Sequence, residues 1–404
     1  MSVKEHLEME EAKRLLEQLP ATPKTETISL SEALDRVLAE DCFSRLAVPP
    51  FDKSPFDGYA CRAEDTPGRL RVVGVAAAGC GSLPSLNPGE AIRIFTGAPL
   101  PAGADAIVKQ ENVTACGGEV VVPSACVSGQ NVIGKGEDIQ PGTRLIGKGT
   151  RLEPGHLGLL ASQGIARIPV FRRPRAVLIP TGTELFEPGQ ACSTYGIYNS
   201  SSFTLSAVMK KLGLEVCRWN VVPDDAQAVA AVVRAALESD AQVVFTTGGA
   251  SVGDFDFAAK TAGQLGAEPL FWKVNMKPGG ALMVSTWRDK LLVNLSGNPA
   301  AAMMSLLLIL RPWLEGLCGR ICTEEELELP VWSPMPKTCS VKRLLRGHLL
   351  VKEGRAWFAE HQGRGNGNLG SFVGCDLIGI VPGGSAPLEK GDVIRALRLP
   401  PYLY

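Results

Sequence analysis

At 404 residues, 45% of them hydrophobic and 21% charged, the sequence is too long for one core and calls for roughly two to four globular domains. A formal charge of −1 excludes a broad polyanion-binding surface of the nucleic-acid type, although local basic pockets remain open. Eleven cysteines without a C-x-x-C pair, beside only four histidines, argue against a zinc framework and for the reduced thiols of the cytosol.

The first 18 residues are charged throughout and lack the apolar core of a signal peptide. The longest apolar run, 300–310, is shorter than the ~20 residues a bilayer crossing needs. Both readings place the protein in the cytoplasm, with no membrane partner. Two amphipathic helices are expected at the start. Leu7, Ala12, Leu15, Leu16 and Leu19 mark one stripe, and Leu30, Ala33, Leu34, Val37 and Leu38 the second, which Ser29 and Glu32 open as a capping box.

From 44 to about 139, glycine and proline punctuate short β-branched runs at 70–75, 91–95, 106–108 and 120–122, the pattern of a turn-rich β domain. The segment 145–164 returns to helix, expected to pack on the opening helices. After Pro174 strands and helices alternate: strand 176–179, helix 201–212, strand 215–222, helix 225–237, strand 242–245, a glycine loop with a helix near Phe257, strands 281–284 and 291–294, and helix 300–314. Continuous β-branched strands in such alternation predict a doubly wound, mostly parallel α/β domain. From about 323 to 404 short strands return at 344–351, 356–361, 377–381 and 393–397, which fits a small β-barrel or sandwich.

The chemistry concentrates at the strand ends. Val243-Val-Phe-Thr-Thr-Gly-Gly-Ala-Ser-Val-Gly-Asp-Phe-Asp256 is a buried strand delivering a turn where open α/β sheets bind ligands. Gly248, Gly249 and Gly253 leave backbone N–H groups open to phosphate oxygens. Asp254 and Asp256 supply hard oxygen ligands of the kind Mg²⁺ prefers. Glu184, in Thr181-Gly-Thr-Glu-Leu185, is placed at the site mouth. Of Asp224 and Asp225, one is expected to cap the next helix, leaving Asp224 free to reach the site. Lys273 and Lys277 lie four apart and would share a face in an extended chain, as suits an anionic substrate. Asn298-Pro299 opens a helix whose bare N–H groups can bind an oxyanion. Four scattered histidines offer no Ser–His–Asp or Cys–His nucleophile, so electrostatic, metal-assisted phosphate chemistry is the expectation.

Eight motifs then fall in one order: Ser54-Pro-Phe-Asp-Gly-Tyr-Ala60; Ile94-Phe-Thr-Gly-Ala-Pro-Leu-Pro-Ala-Gly-Ala-Asp-Ala106; Gly136-Glu-Asp138; Pro180-Thr-Gly-Thr-Glu-Leu185; Thr247-Gly-Gly-Ala-Ser-Val-Gly253; Met276-Lys-Pro-Gly279; Ser296-Gly-Asn-Pro299; and Pro387-Leu-Glu-Lys-Gly-Asp392. In this the chain resembles the molybdopterin molybdenumtransferase family, which makes the last step of molybdenum cofactor assembly and includes the E domain of gephyrin. The resemblance implies four domains: a helical linker domain (1–43 and 140–173), an inserted β domain (44–139), the α/β domain (174–322) and a C-terminal β-barrel (323–404). It also implies a homodimer with its active site shared between subunits, and possible partners in the molybdopterin adenylyltransferase and molybdoenzyme apoproteins. The implied reaction takes adenylylated molybdopterin and molybdate with Mg²⁺.

Matched residue by residue, the resemblance places functional positions at Asp57, Thr96 and Asp138, acidic site positions at Glu184, Asp224 and Asp256, and basic ones at Lys273 and Lys277. Ser251 and Asp254 match positions associated with Mg²⁺ and the phosphates. Arg346 matches a basic position near the oxyanion, and Ser371 a serine in the same domain. Three departures stand out. A second lysine of the family pattern is absent from Lys277-Pro-Gly-Gly-Ala281, Leu-Pro-Gly-Asn-Pro becomes Leu295-Ser-Gly-Asn-Pro299, and the C-terminal serine segment reads Gln362-Gly-Arg-Gly-Asn-Gly-Asn-Leu-Gly-Ser371. The choice of molybdate over tungstate therefore stays open. Two other readings remain: an adenylyltransferase, against which the β-rich domains count, and a gephyrin-like scaffold, for which no apolar groove is evident in the sequence.

Overall fold

The computed structural model describes residues 3–79, 81, 83–248, 261–361 and 369–403. Two compact units divide them, one of Met1–Thr27, Asp35–Ala39 and Pro169–Tyr404, the other of Ile28–Leu34 and Glu40–Ile168.

The first unit is built on a seven-stranded sheet. Its strand order is Lys4–Leu7, Glu268–Val274, Leu282–Trp287, Lys290–Leu295, Val243–Thr247, Arg175–Pro180 and Glu215–Arg218. Four neighbouring pairs are parallel and the two made by Leu282–Trp287 are antiparallel, so the sheet is mixed with a parallel majority. Alternation puts its two faces into separate cores. Ala176, Leu178, Val243, Phe245 and Val293 face the helices Met9–Glu17, Ser201–Leu212 and Pro299–Leu317. Val177, Ile179, Val244 and Leu292 face helix Ala226–Glu238. Helices on both faces make the sheet doubly wound.

Local signals set the helix ends. Gly213, at φ 106, closes helix Ser201–Leu212 by returning its N–H to Lys210, a conformation that glycine adopts without cost. Asp225 caps the next helix by accepting from Ala228 N at 2.8 Å. Helix Pro299–Leu317 outruns the apolar run read in the sequence, because Trp313, Leu314 and Leu317 continue its buried face through a π-type segment, Leu306–Leu310. It is the one helix among the described residues long and apolar enough to cross a membrane, and 89% of that window is buried inside the protein.

A second sheet completes this unit. Strands Met276–Lys277, Lys342–Lys352, Leu377–Val381, Val393–Arg398 and Glu325–Pro330 follow in that order, with Arg355–Glu360 also paired to Lys342–Lys352, giving a half-barrel. Leu344, Ile378 and Leu397 join the same core as the α/β sheet. The other unit carries a six-stranded sheet in the order Ala106–Lys109, Gly58–Cys61, Glu90–Ile94, Gly68–Ala76, Glu119–Val122 and Thr114–Cys116. It is buried on both faces, by Leu70, Val108 and Val120 on one and Ile92, Ile94 and Ile107 on the other.

Two expectations are corrected. The stripe Leu30–Leu38 is not a helix; it yields one 3₁₀ turn, Leu30–Glu32, in which Ser29 Oγ accepts from Ser31 N rather than making a capping box. Asp35 stands at φ 64, which no α-helix accommodates. Val37 and Ala39 instead exchange backbone bonds with Phe171 and Pro169, at 2.8 and 3.1 Å. Within the segment 145–164 only Pro154–Ser162 is helical, and the short strand Arg144–Ile146 leads into it. Gly249, Ser251, Gly253, Asp254 and Asp256, with the helix expected near Phe257, lie outside the described residues.

Candidate functional site

In the β-rich unit three of the motifs are tied into one place. The Lys53 backbone pairs with both Pro99 and Ile133, and Val48 pairs with Ile139. This draws the segments carrying Asp57, Thr96 and Asp138 together. Asp57 Oδ1 accepts from Thr96 N and from Thr96 Oγ1, each at 2.8 Å. Those two donors, the backbone one first, hold the Asp57 carboxyl below its usual range. Gly58 must follow it, because a Cβ there would stand 2.1 Å from the Val108 carbonyl oxygen. Asp138 is exposed, its N–H donating to the Val48 carbonyl at 3.0 Å.

The sequence reading passed over the aromatic frame of this pair. Phe51, Phe56 and Phe95 are 43%, 38% and 38% exposed, unusual for phenylalanine. Arg93 lies 5.0 Å from the Tyr59 ring centre and 5.2 Å from that of Phe95, and Lys109 lies 3.9 Å from that of Phe56. Alternating aromatic and basic residues beside the motifs were the available signal.

In the other unit the loops meet at the carboxyl edge of the seven-stranded sheet. One row runs through Trp272, Met283, Asn294, Thr246 and Ile179. Strand Glu268–Val274 reverses direction twice relative to Lys290–Leu295 and so runs with it. Lys273, Leu295, Thr247 and Pro180 therefore all stand at one edge. Beyond Pro180, Thr181 Oγ1 donates to the Thr247 carbonyl at 3.0 Å. Gly248, at φ 101, approaches so closely that a Cβ would stand 2.5 Å from the Thr181 carbonyl oxygen. Glu184 is exposed on the same loop.

Three sequence expectations change here. Asp224 reaches this edge but is not free: its Oδ2 accepts from Thr183 N at 3.2 Å while its own N–H donates to Thr183 Oγ1 at 3.1 Å. The helix start at Pro299 is not bare, since Asn298 Oδ1 accepts from Ala300 N at 3.0 Å and Ala301 N at 3.2 Å. An oxyanion there would have to displace this cap. The two lysines do not share a face by extended-chain parity either. Lys273 adopts φ 61, and the chain then leaves the sheet, so that Lys277 pairs with Arg343 in the half-barrel. Its loop still returns to the helix start: Ser305 Oγ donates to the Gly279 carbonyl at 2.7 Å.

Further along the same half-barrel strand stands Arg346. Its Nε and Nη1 are buried and have no hydrogen-bond partner among the described residues. Burial pulls its pKa down. A guanidinium so placed calls for an anion, because an unpaired buried donor retains its full desolvation cost. Arg346 lies 5.5 Å from the ring centre of Phe372, beside the buried Ser371. The described acids form no cluster of three His, Cys, Asp or Glu able to hold a cation, so by themselves they do not fit Mg²⁺.

A doubly wound sheet with carboxylates, a lysine and a tight glycine turn at its carboxyl edge defines an α/β protein of the anionic-ligand class. Comparisons narrow this. Residues 1–164 match the MoeA N-terminal region (domain I and II), and residues 177–316 match the probable molybdopterin binding domain. The molybdopterin molybdenumtransferase of Bacillus subtilis (strain 168) is 34% identical, with 97% of this chain and 94% of that protein covered. That of Staphylococcus aureus (strain N315) is 30% identical, with 95% and 93% covered. A crystal structure of the molybdopterin biosynthesis MoeA protein from Pyrococcus horikosii superposes with a TM-score of 0.83 at 29% identity, covering 97% of this chain and 99% of its own. The chain belongs to the molybdopterin molybdenumtransferase family.

Proposed function

We infer that the protein is a molybdopterin molybdenumtransferase, an enzyme of molybdenum cofactor biosynthesis, which takes adenylylated molybdopterin and molybdate and releases AMP as molybdenum enters the dithiolene. Family membership over nearly the whole chain supports the activity. The observation that carries the chemistry is the edge where Lys273, Glu184, Asp224 and Gly248 come together.

Each group has a task its environment suits. Lys273, Lys277 and Arg346 neutralise and orient the molybdate dianion, and the unpaired nitrogens of Arg346 are ready donors to an oxyanion. The tight turn at Gly248, whose own N–H donates to the Leu295 carbonyl at 3.2 Å, leads into the glycine loop that we assign to the substrate phosphate. Glu184, exposed and at the edge, positions the water that attacks the phosphoanhydride. Asp224 is a positioning residue, holding the Glu184 loop through Thr183. Asp57, kept ionised by Thr96, is assigned to the reaction by the family resemblance. Mg²⁺, when bound, would offset charge developing on the phosphate. On the family resemblance we assign its ligands to Ser251 and Asp254, which, with Asp256, lie outside the described residues.

The reading extends to the four-domain division at 43, 139, 173 and 322, to a homodimer, and to a cytoplasmic protein that hands its product to molybdoenzyme apoproteins. Light scattering tests the dimer. Incubation with adenylylated molybdopterin, Mg²⁺ and molybdate tests the activity: AMP with molybdenum cofactor supports it. Adenylylation of molybdopterin from ATP would favour an adenylyltransferase, and absence of both reactions a scaffold.

A further inference from the structure

A second cleft, of about 580 Å³, opens at the amino ends of the same parallel strands. Arg175, Glu215 and Lys290, which begin strands Arg175–Pro180, Glu215–Arg218 and Lys290–Leu295, line it together with Gln242. It therefore lies at the sheet edge opposite Thr181 and Gly248, about 20 Å away along the strands at ~3.3 Å per residue.

The charges around it are unevenly matched. Glu26 is taken by Arg36, which also donates to the Phe171 carbonyl at 2.9 Å. Arg175 engages Glu215 at 3.2 Å and Asp240 as well. The Lys290 ammonium sits on the carbonyls of Leu237, at 2.7 Å, and Ser239. Lys24, Arg172 and Arg173 are left, all lining the cleft, all exposed, and with no carboxylate partner among the described residues. Against three such cations stands one unmatched acid, Asp289. The backbone beneath them is fixed: Arg172 N donates to the Lys24 carbonyl at 2.7 Å, and Glu215 N to the Pro174 carbonyl at 2.8 Å. Pro23, Pro174 and Leu317 give the cleft an apolar wall.

We propose that this cleft is a binding site for a phosphorylated small molecule, separate from the site at the carboxyl edge. Paired guanidinium groups match phosphate oxygens in a fork that a lysine alone does not offer. The volume falls within the ~300–1,000 Å³ typical of small-ligand sites. The apolar wall suits the rest of such a molecule, and of the four lining carboxylates Glu26, Glu215 and Asp240 are matched by Arg36 and Arg175, which leaves Asp289 alone against three cations.

The test is calorimetric titration of the full chain with inorganic pyrophosphate at constant ionic strength, with citrate as a carboxylate control. The variant Arg172→Gln/Arg173→Gln keeps the stems and removes both charges. It is expected to fold, by circular dichroism, and to bind pyrophosphate at least about tenfold more weakly, the scale of one charge-assisted hydrogen bond. Lys273→Ala/Lys277→Ala, at the other edge, is expected to retain this affinity. Unchanged binding in the arginine variant, loss confined to the lysine variant, equal binding of citrate, or no heat with the unaltered protein would each overturn the proposal. Should the double variant misfold, Lys24→Gln supplies the same reading: weaker pyrophosphate binding supports the site, and unchanged binding overturns it.

Discussion

Asp57 and Thr96 are joined twice, through the Thr96 backbone N–H and its hydroxyl, both at 2.8 Å to one carboxylate oxygen. The pair links two strand ends 39 residues apart in sequence. Because both donors favour the ionised form, the folded-state pKa lies below the usual 3.8. The stabilisation is complete above 3.8 and is lost as pH falls through the depressed folded-state value. Thr96→Val keeps the backbone donor and removes the hydroxyl. Carboxyl NMR should then show Asp57 titrating closer to 3.8 than in the unaltered protein, and an unmoved midpoint would deny the hydroxyl its part.

Gly248 has no tolerable substitute. A Cβ would press on both Thr181 O and Thr181 Oγ1, at 2.5 and 2.6 Å, on a backbone at φ 101. Gly248→Ala should cost about 1–3 kcal/mol of stability and lower activity further by opening the edge. Denaturant titration checks the first effect and turnover the second.

Asn298→Ala separates a cap from an oxyanion site. If its side chain caps Ala300 and Ala301, as the distances show, removal should lower the free energy of unfolding by about 1 kcal/mol. Unchanged stability with impaired molybdate binding would instead make Asn298 a ligand group.

Asp224 and Thr183 act as one unit, so their single alanine variants should lose activity by similar factors, each about tenfold or more, equivalent to ~1.4 kcal/mol of transition-state stabilisation. The double variant should be little worse than either. Multiplying losses would mean that Asp224 acts independently.

Much of this was legible from the chain. The run Ala176-Val-Leu-Ile179 fed both cores in turn, as its continuous apolar character required. Asp225 followed by a helical stripe located a cap. The failures share a cause: local spacing cannot register where tertiary pairing overrides it. Leu30–Leu38 has helical periodicity, yet Val37 and Ala39 bond to Phe171 and Pro169, far along the chain. Lys273 and Lys277 have even spacing, yet the left-handed Lys273 and a change of sheet remove its meaning. Arg346 is reached through the family resemblance, but nothing in its local pattern announces its burial. Its unpaired buried guanidinium appears only when the half-barrel is assembled.

The central claim is that cleavage of the adenylyl group and capture of the metal are coupled in one site. A single-turnover experiment with excess enzyme, adenylylated molybdopterin, Mg²⁺ and molybdate measures it, by counting AMP released against molybdenum held in the pterin product. The account predicts equal amounts, and folded Asp57→Ala and Glu184→Ala proteins that yield neither. AMP without metal uptake, or both folded variants turning over at the unaltered rate, would contradict it.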